Sequence, residues 1–432
     1  MQMEDMIIIS VDDHVSEPAD MFDQHLPAEL KDRAPKLKSV DGADYWVYEG
    51  IVLPNTGLNA VVGRPKEEYG MEPQGYAEMR PGNYDIKARI DDMSVNGILA
   101  SICFPTVCTM DGSIFSRSPD RTLNLRIIQA YNDWQIDEWA GAFPGRIIPL
   151  AILPLWDAEL AAEEVKRVAK KGCHAITFPD NPANKGFASI HDKFWEPLWK
   201  ACNDNKVVIN CHIGTGSEPR HPSDLSPMNA WITAMPISIA NAAADWLHLE
   251  PLLRYPDMKV ALSEGSIGWI PYLLERAEFT NEQHIWTNVD WKGKSPTEVF
   301  REHFLCCFIE DNFGLKNYQD VGEDIIMYEC DYPHSDCLWP EAPERLWQGL
   351  KDLPENVINK ITHENVMREY SFDPISILGR ENCTVGALRA QAAHVDTSVK
   401  STSGLKPGEG KGVVTSGHVT AMFASMMPKE TP

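Results

Sequence analysis

The run Met6-Ile7-Ile8-Ile9-Ser10-Val11 is apolar almost throughout and ends at Asp12-Asp13-His14. Continuous apolar runs of this length are typical of strands in a parallel sheet, which is buried on both faces. Seven similar runs follow along the chain, at residues 98–104, 147–153, 173–178, 207–211, 258–262, 304–309 and 325–328. Helix-patterned segments separate most of them, so that strand and helix alternate.

One helix-patterned segment, from Asp157 to Lys171, has clear signals at both ends. Asp157 can cap its start, basic residues fill its last turn, and Gly172 ends it. Eight strand and helix units predict an α/β fold of the (β/α)8 type, the TIM barrel. An open doubly wound sheet is disfavoured because neither GxGxxG nor GxxxxGK follows any of the runs.

Two segments depart from this alternation. Residues 15–90 form a long insertion after the first strand, which we expect to be a lid or pocket wall with aromatic residues of its own. These aromatic residues include Trp46, Tyr48, Tyr69, Tyr76 and Tyr84. Residues 375–432 become rich in Gly, Ser, Thr and Lys from Ser401 onward, which predicts an extension that is partly disordered or wraps a partner subunit. Residues 1–374 are then the catalytic domain.

The composition excludes several classes of protein. The chain has 63 acidic and 39 basic residues, giving a net charge of -24, which disfavours nucleic-acid and membrane partners. No apolar run approaches the roughly 20 residues of a membrane span, and the acidic N-terminus does not resemble a secretory signal, so we expect a cytoplasmic protein. Its 10 cysteines include no CxxC pair and are expected to be reduced core residues.

Residues of the types that bind metals, namely Asp, Glu and His, lie where four of the apolar runs end. Asp12 and His14 follow the first run, His212 the fifth, Glu264 the sixth and Asp331 the eighth. In a TIM barrel these strand ends meet at the functional face, and residues two apart on a strand point the same way. We therefore predict one ion held by Asp12, His14, His212 and Asp331, the alternative being a salt-bridged barrel mouth without metal.

Six short sequence motifs are informative because they occur together and in a fixed order along the chain. They lie at residues 8–18, 89–93, 130–134, 211–214, 263–271 and 330–336. Together they resemble the amidohydrolase-2 family, metal-dependent (β/α)8 enzymes related to aminocarboxymuconate-semialdehyde decarboxylase. The resemblance covers about residues 6–372. It implies one transition-metal ion per chain on Asp12, His14, His212 and Asp331, a small-molecule substrate, and a homodimer or higher homo-oligomer.

The chain departs from this family's pattern at two positions. Asp12 stands where the best-known members have histidine, which favours manganese or iron over zinc because the ligand set gains an oxygen. Glu264 stands where many relatives, the decarboxylases included, carry a catalytic histidine. We therefore expect zinc, manganese or iron as the metal, and Glu264 as either a ligand or a base.

The reaction expected from these residues is hydrolysis of an acyl bond in a small, ring-bearing organic substrate, which could be an ester, thioester, lactone or amide. A bound ion acidifies water and polarises a carbonyl. Asp331 is placed to take the proton of the water, Glu264 to act as a second base or as an acid, and His334 to position the carbonyl or to stabilise a turn.

Two alternatives to hydrolysis remain. The first is non-oxidative decarboxylation of an aromatic or enol carboxylic acid, in which Asp331 delivers a proton to carbon. Glu264 argues against it, because an anionic side chain repels a carboxylate substrate. The second is a catalytically inactive barrel used for binding, which would contain no metal.

Overall fold

The computed structural model describes residues 1–40, 42–55, 60–72, 74–217, 219, 221–402 and 412–426. Its strands are β1 (Ile9–Val15), β2 (Lys36–Val40), β3 (Ala43–Tyr48), β4 (Ile51–Pro54), β5 (Ala100–Pro105), β6 (Ile147–Ile148), β7 (Ala175–Thr177), β8 (Val208–His212), β9 (Val260–Ser263), β10 (Phe304–Phe308) and β11 (Ile326–Tyr328). Each of the eight predicted runs overlaps one of β1 and β5 to β11.

The α-helices of these residues are α1 (Met21–His25), α2 (Ile86–Val95), α3 (Arg121–Trp134), α4 (Ala158–Ala169), α5 (Glu196–Asn205), α6 (Met228–Leu247), α7 (Ile270–Gln283), α8 (Pro296–His303), α9 (Asn312–Lys316), α10 (Tyr318–Val321), α11 (Ala342–Leu350), α12 (Glu355–Asn359), α13 (Asn365–Glu369), α14 (Pro374–Leu378), α15 (Val385–Gln391) and α16 (Ser416–Met426). No helix within the described ranges is long and apolar enough to cross a membrane.

The strands β1 and β5 to β11 form the predicted parallel barrel. One ladder joins β1, β5 and β6, and a second joins β7 to β11 in order. A parallel bridge between Ala151 and Ile176 connects the two ladders on one side. On the other side the amide of Asp331 donates to the carbonyl of Asp12 at 2.7 Å, which places β1 next to the chain that leaves β11. The (β/α)8 fold predicted from the sequence is therefore confirmed.

Two layers of apolar side chains build the core. The barrel strands contribute Ile9, Ile102, Val208, Leu305 and Met327 to one buried cluster. A larger cluster includes five tryptophans, namely Trp134, Trp139, Trp195, Trp199 and Trp246. All 10 cysteines are free thiols and only one of them is not fully buried, as expected for reduced core residues.

The predicted helix at residues 157–171 is α4, and its signals act as expected. The carboxylate of Asp157 accepts hydrogen bonds from the amides of Glu159 and Leu160 at 3.0 and 3.1 Å. Replacing Asp157 with alanine should therefore lower the free energy of unfolding by about 1 kcal/mol, because those amides lose their partner. Urea denaturation measures this loss, and Asp157→Asn, which keeps a capping oxygen, should retain most of the stability. Equal stability of the alanine variant and the wild type would contradict the cap.

The insertion at residues 15–90, for which the sequence predicted a long loop, contains a small antiparallel sheet. β2, β3 and β4 pair with one another, and β3 alternates buried and half-buried residues. Trp46 packs edge-on against Phe22, and Tyr48 against Phe115. Trp46 and Tyr48 thus belong to a buried core that the insertion shares with the barrel.

The insertion also reaches the functional end of the barrel. The amides of Val61 and Val62 both lie 3.2 Å from the carbonyl of Pro333, on the loop that follows β11. The hydroxyl of Tyr76 donates to the carbonyl of Glu17 at 2.6 Å, just after β1. This part of the insertion therefore covers the strand ends that carry the predicted ligands.

The predicted C-terminal extension, residues 375–432, begins with helices that pack on the chain's own barrel. The amide of Val385 donates to the carbonyl of Met6 at 2.8 Å, just before β1. Cys383 and Leu388 belong to the same buried cluster as the barrel strands. The first part of the extension is thus ordered and covers the N-terminal end of the barrel.

The last described segment lies near the opposite end. The amide of Ser416 donates to the carbonyl of Ser226 at 2.8 Å, which attaches the start of α16 to the connection between β8 and α6. Residues 403–411 and 427–432, from the Gly-, Ser-, Thr- and Lys-rich part of the extension, lie outside the described residues. That the extension wraps a partner subunit stays a prediction.

Candidate metal centre

Four side chains meet at the C-terminal end of the barrel. Nε2 of His14 lies 3.4 Å from Oδ1 of Asp12 and 3.2 Å from Oδ1 of Asp331. Nε2 of His212 lies 3.5 Å from Oδ2 of Asp12 and 3.3 Å from Nε2 of His14. The structure thus brings together the four residues that the strand ends singled out as ligands.

The donor atoms fall into two groups that share His14. The first group consists of Asp12, His14 and His212. The second consists of His14, Glu264, Asp331 and His334. Within each group the donor atoms lie within 4.8 Å of one another. The strand geometry explains the first group, because alternate residues of β1 face the barrel axis and β8 ends at His212.

Three oxygens at this centre have no hydrogen-bond partner among the described residues. Both carboxylate oxygens of Asp12 and Oδ1 of Asp331 are buried and unsatisfied. Each of these oxygens lies within 3.5 Å of an imidazole nitrogen but accepts no hydrogen bond, and burying carboxylates in this way costs several kcal/mol, which a bound cation would offset. A set of carboxylates and imidazoles suits manganese and iron as well as zinc, and the residues therefore fit a transition-metal ion.

The two histidines of the first group are held with Nε2 toward the centre. Nδ1 of His212 lies 2.7 Å from the carbonyl of Ile213, so that it carries the proton and leaves the lone pair on Nε2. The ring of His14 stacks on the ring of His334, with centroids 3.7 Å apart. These contacts fix both rings in the orientation that metal binding needs.

Glu264 enters the centre from the end of β9. Its Oε1 lies 3.6 Å from Nε2 of His212, 3.9 Å from Nε2 of His14 and 3.6 Å from Nδ1 of His334. Its backbone has a φ of 56°, a conformation that costs free energy for a residue other than glycine. The amide of Glu264 donates to the buried carboxylate of Glu329 at 3.0 Å, which holds this conformation.

Asp331 and His334 lie against each other on the loop after β11. Nδ1 of His334 lies 2.8 Å from Oδ1 of Asp331, and the amide of His334 donates to the carbonyl of Asp331 at 2.8 Å. Asp331 also has a left-handed backbone, with a φ of 57°. The turn Asp331-Tyr332-Pro333-His334 thus brings both side chains back onto the same centre.

The electrostatics of the centre suit a bound cation. Burial raises the pKa of Asp12 and of Asp331, and it lowers the pKa of His14. Burial also raises the pKa of Glu329, which lies behind Glu264, to about 7. A bound divalent cation would oppose the rise in the carboxylate pKa values, because it favours ionised carboxylates, and it would suit the neutral imidazole that burial favours at His14.

Two charged residues that we did not include among the site residues support the centre from behind. Asp13 points away from the ligands, as expected from the alternation of β1, and its Oδ1 accepts a hydrogen bond from the amide of Tyr332 at 3.0 Å. Nη1 of the fully buried Arg89 lies 3.8 Å from Oδ2 of Asp13. Arg89 also donates to the carbonyl of His14. Together they fix the seam between β1 and the loop after β11.

Comparison with known proteins places this centre in a family. The sequence profile described as Amidohydrolase matches residues 22–372. The chain belongs to the amidohydrolase family. The resemblance seen in the sequence motifs is thereby confirmed. The match begins after Asp12 and His14, so the assignment of these two residues as candidate ligands rests on the geometry given above.

Several solved structures are similar to this amidohydrolase. An amidohydrolase from Mycobacterium avium subsp. paratuberculosis K-10 is 21% identical to this chain in sequence. The two structures superpose with a TM-score of 0.64, and the match covers 84% of this chain and 99% of the other. The 5-carboxyvanillate decarboxylase LigW from Sphingomonas paucimobilis is 19% identical, with a TM-score of 0.58 over 85% and 99% of the two chains.

A third similar structure contains a metal. It is a 5-carboxyvanillate decarboxylase, LigW2 from Novosphingobium aromaticivorans, with bound manganese and 3-methoxy-4-hydroxy-5-nitrobenzoic acid. It is 17% identical to this amidohydrolase, with a TM-score of 0.60 over 84% of this chain and 97% of the other. At such identities these likenesses establish a shared barrel fold.

Proposed function

We propose that this amidohydrolase is a metal-dependent, non-oxidative decarboxylase of a small aromatic or enol carboxylic acid. The comparisons favour this reaction over the hydrolysis first expected, since two of the similar structures are named decarboxylases and one of them holds manganese. In this chain, the supporting observation is the pair of Asp331 and His334, 2.8 Å apart, beside the candidate ligands. The pair supplies a proton donor and a route to refill it.

We further propose manganese as the resident ion, held by Asp12, His14, His212 and Asp331. Three of the oxygens offered by Asp12 and Asp331 accept no hydrogen bond within the described residues, and oxygen-rich ligand sets suit manganese. When bound, such an ion would supply Lewis-acid chemistry that polarises a substrate held beside these four residues.

The residues of the chain move the protons. Asp331 in its protonated form delivers a proton to the carbon that bears the carboxylate. The bond between that carbon and the carboxylate then breaks, its electron pair stays with the ring or enol, and carbon dioxide leaves, so that a C–H bond replaces the C–carboxylate bond. His334, whose side chain is 12% exposed, passes a proton from solvent back to Asp331.

One observation favours hydrolysis as a second candidate. Oε1 of Glu264 lies 3.6 Å from both His212 and His334, where its negative charge opposes a carboxylate substrate. In a hydrolase, Glu264 would instead act as a base toward water or as an acid toward the leaving group of an ester, thioester, lactone or amide.

Product analysis separates the two reactions. Manganese-loaded protein is incubated with a panel of hydroxybenzoates and enol acids and, in parallel, with aryl esters, thioesters, lactones and amides. We expect carbon dioxide to be released in step with loss of an acid, and we expect removal of the metal by a chelator to stop the release. Cleavage of an acyl substrate without release of carbon dioxide from any acid would establish the hydrolase instead.

A further inference from the structure

A cleft at the rim of the barrel, separate from the candidate metal centre, combines cationic and aromatic side chains. It has a volume of about 580 Å³ and lies between the connections that follow β5, β6 and β7. Its cationic side chains are Arg117, Arg121 and Lys185, and its aromatic side chains are Trp156, Phe187 and Phe194. None of its lining residues belongs to the two ligand groups of the metal centre.

The two arginines of the cleft keep their charge uncompensated. Within the part of the chain that the structure describes, neither Arg117 nor Arg121 forms an ion pair. The neighbouring carboxylate of Asp120 pairs with Arg33 instead, at 2.8 Å. In a protein with a net charge of -24, two free guanidinium groups lining one cleft are a local reversal of the surface charge.

Arg121 is also held in place. Its Nη1 donates to the carbonyl of Ser116 at 3.0 Å, and its guanidinium lies 5.0 Å from the centroid of the Trp156 ring. Both contacts orient the group without neutralising it. A guanidinium that is fixed in this way loses little conformational entropy when it binds an anion.

The third cation forms a fixed part of the wall. Lys185 pairs with the carboxylate of Asp111, which is fully buried, and its Nζ lies 3.3 Å from Oγ of Ser113. Since Asp111 already takes up the charge of Lys185, the excess positive charge of the cleft comes from Arg117 and Arg121.

We propose that this cleft binds an aromatic carboxylate. The carboxylate would accept hydrogen bonds from Arg117 and Arg121, since the planar guanidinium matches a carboxylate in two parallel hydrogen bonds. The ring of the ligand would pack against Trp156, Phe187 and Phe194, whose apolar faces line the cleft. The proposal rests on the lining of the cleft alone, and it does not depend on the reaction at the metal centre.

Equilibrium dialysis of metal-loaded protein with radiolabelled benzoate tests this site. Arg117→Ala and Arg121→Gln should each raise the dissociation constant of benzoate at one class of sites by about tenfold or more relative to wild type, because each variant loses hydrogen bonds to the carboxylate. The matched control is Arg126→Gln, which changes an exposed arginine of α3 that contacts Gln129 and does not line the cleft. The control should bind benzoate and turn over substrate as wild type does.

The choice of anion tests the class of ligand. Acetate and inorganic phosphate, which lack a ring, should displace benzoate from these sites at least about tenfold less well than unlabelled benzoate. Unchanged benzoate binding in both arginine variants, or equal displacement by acetate or phosphate, would overturn the proposal. Absence of carbon dioxide release would count against the proposed decarboxylation and would leave this result standing.

Discussion

Replacing Asp331 with asparagine should lower kcat by about 10³-fold, a loss typical of removing a general acid, and leave the barrel folded. Asp331 lies 3.2 Å from Nε2 of His14 and 2.8 Å from Nδ1 of His334, so it serves both the candidate ligand set and the proton route. An asparagine of the same shape keeps the packing but cannot carry a proton to carbon. Steady-state kinetics with added manganese measure the loss, and metal analysis shows how much of it comes from a weaker site.

A carboxylate at the other end of the same strand provides the control. Asp324 precedes β11, is 65% exposed and pairs with Lys360 at 2.8 Å. Asp324→Asn should keep the wild-type kcat, because it removes a charge far from the strand ends that carry the ligands. If Asp331→Asn kept activity within about tenfold of wild type, Asp331 would have no part in proton transfer.

Replacing Arg89 with methionine should destabilise the protein by about 3–5 kcal/mol, the usual cost of leaving one partner of a buried ion pair alone. Arg89 is fully buried, and its charge faces the carboxylate of Asp13 at 3.8 Å. Burial already raises the pKa of Asp13 to about 6, and Arg89 opposes that rise. Without Arg89 the carbonyl of His14 also loses a donor. Urea denaturation monitored by tryptophan fluorescence measures the change.

A double-mutant cycle isolates the pair. Adding Asp13→Asn to Arg89→Met should recover part of the lost stability, because the uncompensated charge is then gone. Independent, additive losses from the two substitutions would show that Arg89 acts through its other contacts, namely its hydrogen bonds to the carbonyls of His14 and Gly82 and its packing over the ring of Tyr332 at 4.2 Å.

The barrel and the candidate ligands were predictable for a local reason. Buried parallel strands are read from continuous apolar runs, and the fold places their C-terminal ends together. Asp12, His14, His212 and Asp331 are polar residues at such ends, and no knowledge of contacts was needed to select them. His334 and Glu264 were also selected in this way, and the structure brings both within 4 Å of the other groups.

The groups that support the centre were not predictable because they act across long separations in sequence. Arg89 contacts Asp13 and His14 on β1. Glu329, just after β11, accepts a hydrogen bond from the amide of Glu264, just after β9, although β10 lies between these two strands. A single buried arginine or glutamate looks the same in the sequence whether it supports a site or an ordinary salt bridge. The type of reaction could not be predicted from the sequence either, since one ligand set serves both hydrolysis and decarboxylation.

The sheet of the insertion was missed although a local signal was present. The aromatic and β-branched run of β3 is followed by Glu49 and Gly50, which have φ values of 47° and 81°. Two consecutive residues with positive φ form the tight turn that joins the two strands of a hairpin with a two-residue loop. An acidic residue followed by glycine after such a run therefore predicts a hairpin, and β3 and β4 form it.

The central claim is that Asp12, His14, His212 and Asp331 hold a single metal ion. Elemental analysis of the purified protein after exhaustive dialysis tests it directly, with Asp12→Ala and His212→Ala as comparisons. About one manganese, iron or zinc ion per wild-type chain, with strongly reduced content in both variants, is the predicted result. Wild-type protein that contains far less than one ion per chain after incubation with each metal, and whose thermal stability a chelator does not change, would contradict the claim and indicate an inactive barrel.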